Sequence, residues 1–264
     1  MRKIIKTKAI CLVSRPLRET SKLVTFFTET LGKLAFVAKG ARNPKSKFGS
    51  ALETFALSEL IFFKTEPKPV YILSDVNLID VFPSLKNTNK FIYANQIVEL
   101  LLRSIGYEDP NYKLFNLLYA TLKNLDSDSR TSPKAMPTAH SKKTSNYQSL
   151  LGAYFLKAIS LLGFKPELRH CVVCKHPKPT YFSIEKGGVI CERDKHAILS
   201  NLYSVQHIKA IQYLLTNPLS KSMRLAIPQD TLKLIQNYLT YHLDEVKLHS
   251  LDLTEEFTLE SGIH

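Results

Sequence analysis

The chain has 264 residues, 44% hydrophobic and 22% charged, which excludes a disordered polymer and supplies enough apolar material for one large domain or two to three small ones. With 36 Lys or Arg against 23 Asp or Glu its formal charge is +13, an excess that points to a polyanionic partner. Four Cys, three of them within 21 positions, argue against a disulfide scaffold and for a metal site or a reducing compartment. No apolar run reaches the roughly 20 residues of a bilayer span, and Lys6 and Lys8 interrupt what a signal peptide would need as its apolar core. The expectation is a soluble intracellular protein with no membrane association.

In chain order, the first 82 residues read as five short strands: Lys3 to Val13, Thr20 to Thr28, Lys33 to Lys39, Phe55 to Lys64 and Val70 to Ile79. Each is rich in Ile, Val, Leu, Phe and Thr and is bounded by Pro, Gly or charged turns. In the third run Leu34, Phe36 and Ala38 alternate with a set that has Lys33 and Lys39 at its ends, predicting one core face and one basic-edged face. Five strands in about eighty residues fit a small closed barrel of the OB-fold kind, and an open sandwich would give a similar pattern.

The charge is concentrated here. Residues 1–50 hold twelve Lys or Arg against two acids, a net of +10, whereas residues 240–264 are net −5. Between the third and fourth strands lies the loop Lys39-Gly40-Ala41-Arg42-Asn43-Pro44-Lys45-Ser46-Lys47. Cations held outward on a glycine-containing loop suit a phosphodiester backbone, and Phe27, Phe48, Phe62 and Tyr71 are candidate stacking surfaces for bases, although most Phe in a small barrel are core. Arg15, Arg18, Lys39, Arg42, Lys45 and Lys47 are the candidate phosphate contacts.

From Asn87 the period becomes helical. Ile92, Ile97, Leu100, Leu101 and Ile105 mark one helix, Gly106 breaks it, and Leu114, Leu117, Leu118 and Leu122 mark the next. Residues 126–146 are dominated by Ser, Thr, Lys and Pro and predict a flexible excursion. A helix resumes over Tyr147 to Leu162 and stops at Gly163 and Pro166; Val205 to Leu215 and Thr231 to Leu243 supply two more.

Between them, Cys171-Val172-Val173-Cys174 precedes Cys191-Glu192-Arg193-Asp194, the zinc-ribbon spacing with Asp in the last ligand slot and Gly187-Gly188 ready for the turn. Cys171, Cys174, Cys191 and Asp194 are the candidate ligands of a structural Zn2+, with His170, His176 and His196 as alternative fourth ligands; the competing reading is a knuckle that folds without metal. Cys11, among Ile10, Leu12 and Val13, reads as core. No His is followed two positions later by Glu, as a zinc deaminase requires, and the HExxH, P-loop, dinucleotide and nucleophile-elbow signatures are missing, which lowers the expectation of an enzyme.

The stretch Gly32-Lys33-Leu34 through Val37-Ala38-Lys39-Gly40-Ala41-Arg42, then Lys45-Ser46-Lys47, and later Leu162-Gly163-Phe164-Lys165-Pro166-Glu167-Leu168 leading into Cys171-x-x-Cys174 and Gly187-Gly188-Val189-Ile190-Cys191, resembles the bacterial RecO family of recombination mediators. The similarity extends to about residue 245. It implies an α+β protein: a five-stranded OB-fold β-barrel at 1–82, a helical domain at 83–264 and a zinc-ribbon-like knuckle inserted at 168–197. It further implies binding of single- and double-stranded DNA, strand annealing, help to RecA on strands coated by single-strand-binding protein, and a cytoplasmic, nucleoid-associated location. The implied partners are RecR and the acidic C-terminal tail of single-strand-binding protein. Asp194 departs from the fourth Cys usual among zinc-bearing relatives. A zinc-dependent nucleic-acid-processing enzyme and an RNA-binding module are the alternatives.

Overall fold

Runs of β-branched and aromatic residues form β1 (Lys3–Leu17), β2 (Ser21–Thr28), β3 (Gly32–Ala38), β4 (Leu57–Lys64) and β5 (Tyr71–Asp80) in the computed structural model, which describes residues 3–64, 69–86, 88–127, 144–197 and 202–243. Most of the 126–146 excursion, and the acidic stretch from 244, lie outside the described residues. The strands bond in the order β1-β2-β3-β5-β4 and close on themselves as a barrel. Closure depends on the length of β1: Lys3 to Ile10 pairs with β4, Ala9 to Leu17 pairs with β2, and the register slips between Cys11 and Val13. Such a bulge bends and twists a strand, letting one strand serve two neighbours. A short parallel pairing of Phe36 and Val37 with Tyr71 and Ile72 joins β3 to β5.

Phe26, Phe36, Phe62 and Tyr71 fill the barrel, with Phe36 edge-on to Phe62 at 4.9 Å between ring centroids. Cys11 is fully buried, and burial pushes its thiol pKa up. Of the two cations expected to edge β3, Lys39 is exposed and Lys33 is not. Lys33 is only 5% exposed, and its Nζ donates to the Leu102 carbonyl at 2.6 Å. The reason is a second layer: Phe27 packs on Phe115, and Glu108 N donates to the Lys33 carbonyl, so this part of the barrel wall is covered. Helices α1 (Thr88–Ser104) and α2 (Tyr112–Ser127) form one compact unit with the barrel: Tyr119 of α2 donates to Asp80 of β5, and Ser84 and Lys90 both donate to Asp126, tying α1 and the segment after β5 to α2. The change from strand to helix falls between Asp80 and Thr88.

A second compact unit is built around α3 (Thr144–Leu161). Tyr154, Phe155, Ala158 and Ile159 are buried on one face, and Ala153 and Leu156 on the other side are buried as well, so apolar side chains surround this helix instead of forming one stripe. The sheet β7-β6-β8 follows, made of β6 (Tyr181–Ser183), β7 (Gly188–Ile190) and β8 (Leu202–Tyr203). Then come α4 (Val205–Thr216), the one-turn α5 (Leu219–Ser222) and α6 (Gln229–His242). Gly152 of α3 lies where an added Cβ would meet Ile235 Cδ1 at 3.2 Å, so α3 and α6 pack closely. No helix among the described residues is long and apolar enough to cross a membrane.

Candidate nucleic-acid interface and metal centre

The β1–β2 turn and the β3–β4 loop form a single basic edge. Arg18 adopts φ 55°, a left-handed conformation that turns the chain sharply before β2. Arg42 bridges to this turn twice: its N–H donates to the Thr20 carbonyl at 2.9 Å and its Nη1 to the Arg18 carbonyl at 2.8 Å. Within the loop, Gly40 takes φ +71°, Asn43 N donates to Gly40 O at 3.1 Å, and Ser46 N donates to Asn43 O at 2.9 Å. These turns leave Lys39 and Lys45 exposed, without an ion pair among the described residues. Arg15, exposed on β1 opposite Leu23, lies three residues before Arg18. Register adds a cation that inspection of the loop alone misses: Lys22 stands between Pro16 of β1 and Ala38 of β3.

Lys47 is placed differently from the other candidates. Its Nζ donates to the Ser74 carbonyl at 2.6 Å, lies 3.4 Å from the Asp75 carboxylate and sits over the Phe48 ring, fastening the end of the loop to β5. The four candidate stacking aromatics are core: Phe27 and Phe62 are fully buried, and Phe48 and Tyr71 nearly so. Strand alternation turns Phe62 and Tyr71 into the barrel, Phe48 packs into the same core from the β3–β4 connection, and Phe27, on the outer face of β2, is covered by Phe115. The neighbour of Phe62, Phe63, carries the opposite parity and is 53% exposed.

The same unit contains an apolar cavity of about 640 Å³, lined by Phe55, Leu78, Val81, Phe82 and Phe91, with the Glu53–Lys86 ion pair at its edge. Phe55 reaches it from a backbone at φ 76°, held there by its N–H to the Cys11 carbonyl at 2.8 Å.

In the second unit, Cys171, Cys174, Cys191 and Asp194 present donor atoms that all lie within 4.8 Å of one another. The three alternative histidines are not in this group. Two turns converge: Lys175 N returns to the Cys171 carbonyl at 2.9 Å, with Lys175 at φ 62°, and Asp194 N returns to the Cys191 carbonyl at 3.2 Å. Gly188 allows the approach, since a Cβ there would lie 2.5 Å from the Glu167 carbonyl oxygen. Cys174 and Cys191 sulfurs are 3.6 Å apart, and Asp194 Oδ2 accepts from the Cys171 and Cys191 thiols at 3.0 and 3.1 Å. A tetrahedral zinc with bonds of about 2.3 Å to sulfur needs S···S edges of about 3.8 Å, so this donor set fits that ion. Hydrogen bonds from the thiols hold the Asp194 carboxyl down at about 2, and the carboxylate in turn pushes Cys174 up to about 11. The packed centre behind the site is small, formed by Cys171, Ile190 and Cys191 with Val172 and Leu202 against them.

Comparison with known proteins gives two family matches, one described as recombination protein O N terminal over residues 1–82 and one as recombination protein O C terminal over 85–138 and 140–252. The chain is 31% identical over 258 residues to a protein of Thermoanaerobacter sp. (strain X514) named DNA repair protein RecO, covering 95% of this chain and 96% of the relative. Proteins of the same name from Caldanaerobacter subterraneus subsp. tengcongensis and Prosthecochloris aestuarii are 31% and 26% identical, covering 92% and 91% of this chain and 94% and 92% of theirs.

Proposed function

Since the chain belongs to the recombination protein O family, we propose that it is a recombination mediator that binds single- and double-stranded DNA, anneals complementary strands and helps RecA load onto strands coated by single-strand-binding protein. The relatives named for DNA repair support a role in repair and recombination. The observation that carries the DNA-binding part is the basic edge, where Arg42 ties the β3–β4 loop to the β1–β2 turn and groups Arg18, Lys39, Arg42 and Lys45. Barrels of the OB kind bind oligonucleotides on the face of strands 2 and 3 and through the β1–β2 and β4–β5 loops; the β1–β2 turn belongs to this basic edge, and a cationic edge follows a phosphate backbone without reading sequence. Residues 1–82 act as the DNA-binding OB-fold domain, and the knuckle at 168–197 is an insert in the helical region 83–264.

Cys171, Cys174, Cys191 and Asp194 hold a structural zinc. Four protein donors leave no coordination position for a substrate, so the ion supplies rigidity and the protein acts without chemical change to the strands. Partners are RecR and the acidic tail of single-strand-binding protein. The Phe55–Phe91 cavity is the seat for the hydrophobic end of that tail, with Lys86 exchanging Glu53 for an acid of the peptide.

The test mixes complementary strands precoated with single-strand-binding protein, without nucleotide or added divalent metal. Annealing that depends on this protein and leaves the strands chemically intact is the expected result. Failure to anneal, or cleavage of the strands, overturns the reading. Preference for RNA over DNA of the same sequence would move the protein to a different class.

A further inference from the structure

Three exposed apolar side chains stand in one row across the outer wall of the barrel. Ile4 of β1 is the partner of Phe63 of β4, and the pairing of Phe62 with Leu73 brings Ile72 of β5 alongside Phe63 on its other side. They are 63%, 53% and 57% exposed, on strands whose opposite faces are core. An aromatic ring between two branched aliphatics, on strands spaced about 4.8 Å apart, forms a rigid platform roughly the width of a nucleobase. We infer that Phe63, flanked by Ile4 and Ile72, is a stacking platform for a base of single-stranded nucleic acid. The inference rests on the DNA-binding reading above and names a surface that the basic loop does not include.

Two observations favour this occupant. The first is continuity: Lys47 at the end of the basic loop reaches Ser74 and Asp75 on β5, and Asp75 pairs with Ile61 in the row next to Phe63. Among the described residues, the carboxylates on the strands and turn beside this path, Glu59, Asp75 and Glu108, are paired with Lys6, Lys47 and Lys64 respectively. Lys6 and Lys8 follow Ile4 on the same face of β1, and Lys8 has no ion pair among the described residues. The second is size. Three half-exposed large side chains offer roughly 300 Å², well under the ~800 Å² per partner that a stable protein interface buries, whereas one stacked base needs no more.

The chain has no Trp, so Phe63→Trp makes a single-tryptophan reporter within the full-length protein. Titration with oligo-dT is expected to quench its emission saturably, over the concentration range in which anisotropy of labelled oligo-dT reports binding. Phe63→Ala should weaken that binding by about tenfold and leave its salt dependence unchanged, because no charge is lost. Oligo-dT binding with no quenching and with wild-type affinity in Phe63→Ala would overturn the platform and leave the DNA-binding reading intact; absence of oligo-dT binding by the unaltered protein would remove that reading itself. Sedimentation supplies the remaining outcome: if Phe63→Ala abolishes self-association but not oligo-dT affinity, the row is a protein contact and the platform is refuted.

Discussion

Phe62 and Phe63 are chain neighbours with opposite environments, since one closes the barrel core and the other stands half in solvent. Phe62→Ala should cost about 3–5 kcal/mol of stability through lost burial and the cavity left behind, whereas Phe63→Ala should change it by no more than about 0.5 kcal/mol; urea denaturation of both variants checks the pair. Lys33 presents the converse case, a cation inside. Desolvation lowers its pKa in the folded state, so the folded protein binds this proton more weakly than the unfolded chain does. Below the folded pKa the full cost of burying the charge is present, and stability from this group rises as pH climbs from that value toward the ordinary lysine value. The neutral amine keeps its hydrogen bond to the Leu102 carbonyl. Denaturation at pH 7 and pH 10 should therefore show the native protein gaining stability relative to Lys33→Met at the higher pH.

At the scale of the element, β3 starts where only glycine fits. Gly32 has φ +74°, and a Cβ there would lie 2.2 Å from the Asp109 carbonyl oxygen in the segment joining α1 to α2. Gly32→Ala must move that segment as well as strain its own backbone, and should lower stability by at least about 2 kcal/mol in a thermal or urea melt. The end of the knuckle that carries the metal ligands is the opposite kind of element, fixed by few packed residues. Its centre is Cys171, Ile190 and Cys191, too little apolar surface to hold the turns without help. Protein purified without chelator should carry about one zinc per chain, reduced in Asp194→Ala. Removing the ion should abolish amide protection over 167–197 while β1 to β5 keep theirs. Zinc near zero in a folded knuckle whose thiols all react freely would mean that packing alone maintains it.

The whole molecule is organised by charge, with +10 in its first fifty residues. Phosphate contacts release counterions, so each one adds roughly 0.7 to the log–log salt slope for a single strand. Replacing Arg18, Lys39, Arg42 and Lys45 together with Ala should flatten that slope by up to about four such increments. Lys47→Ala alone should change it less than Lys45→Ala does, because Lys47 is already committed to Ser74 and Asp75. Equal effects from the two would show that the loop rearranges on the strand.

Much of this protein was determined by its sequence alone. The five strands, the helices from residue 88 and the Cys171-Cys174-Cys191-Asp194 set are all local patterns, readable because alternation, helical period and ligand spacing act over a few residues. Pairing was not local. That β1 serves both β2 and β4, that Lys22 joins the basic edge, and that Ile4, Phe63 and Ile72 meet in one row follow from registers between strands distant in sequence, as far apart as Lys3 and Lys64, and Lys33 is covered by the layer that carries Leu102 and Phe115. The burial of the four candidate stacking aromatics is tertiary too: composition marks a side chain as able to stack, but closure of the sheet turns Phe62 and Tyr71 inward, the β3–β4 connection brings Phe48 into the same core, and Phe115 covers Phe27. The tertiary structure likewise separated Lys47 from the loop cations beside it, since Ser74 and Asp75, which hold it, come from another strand.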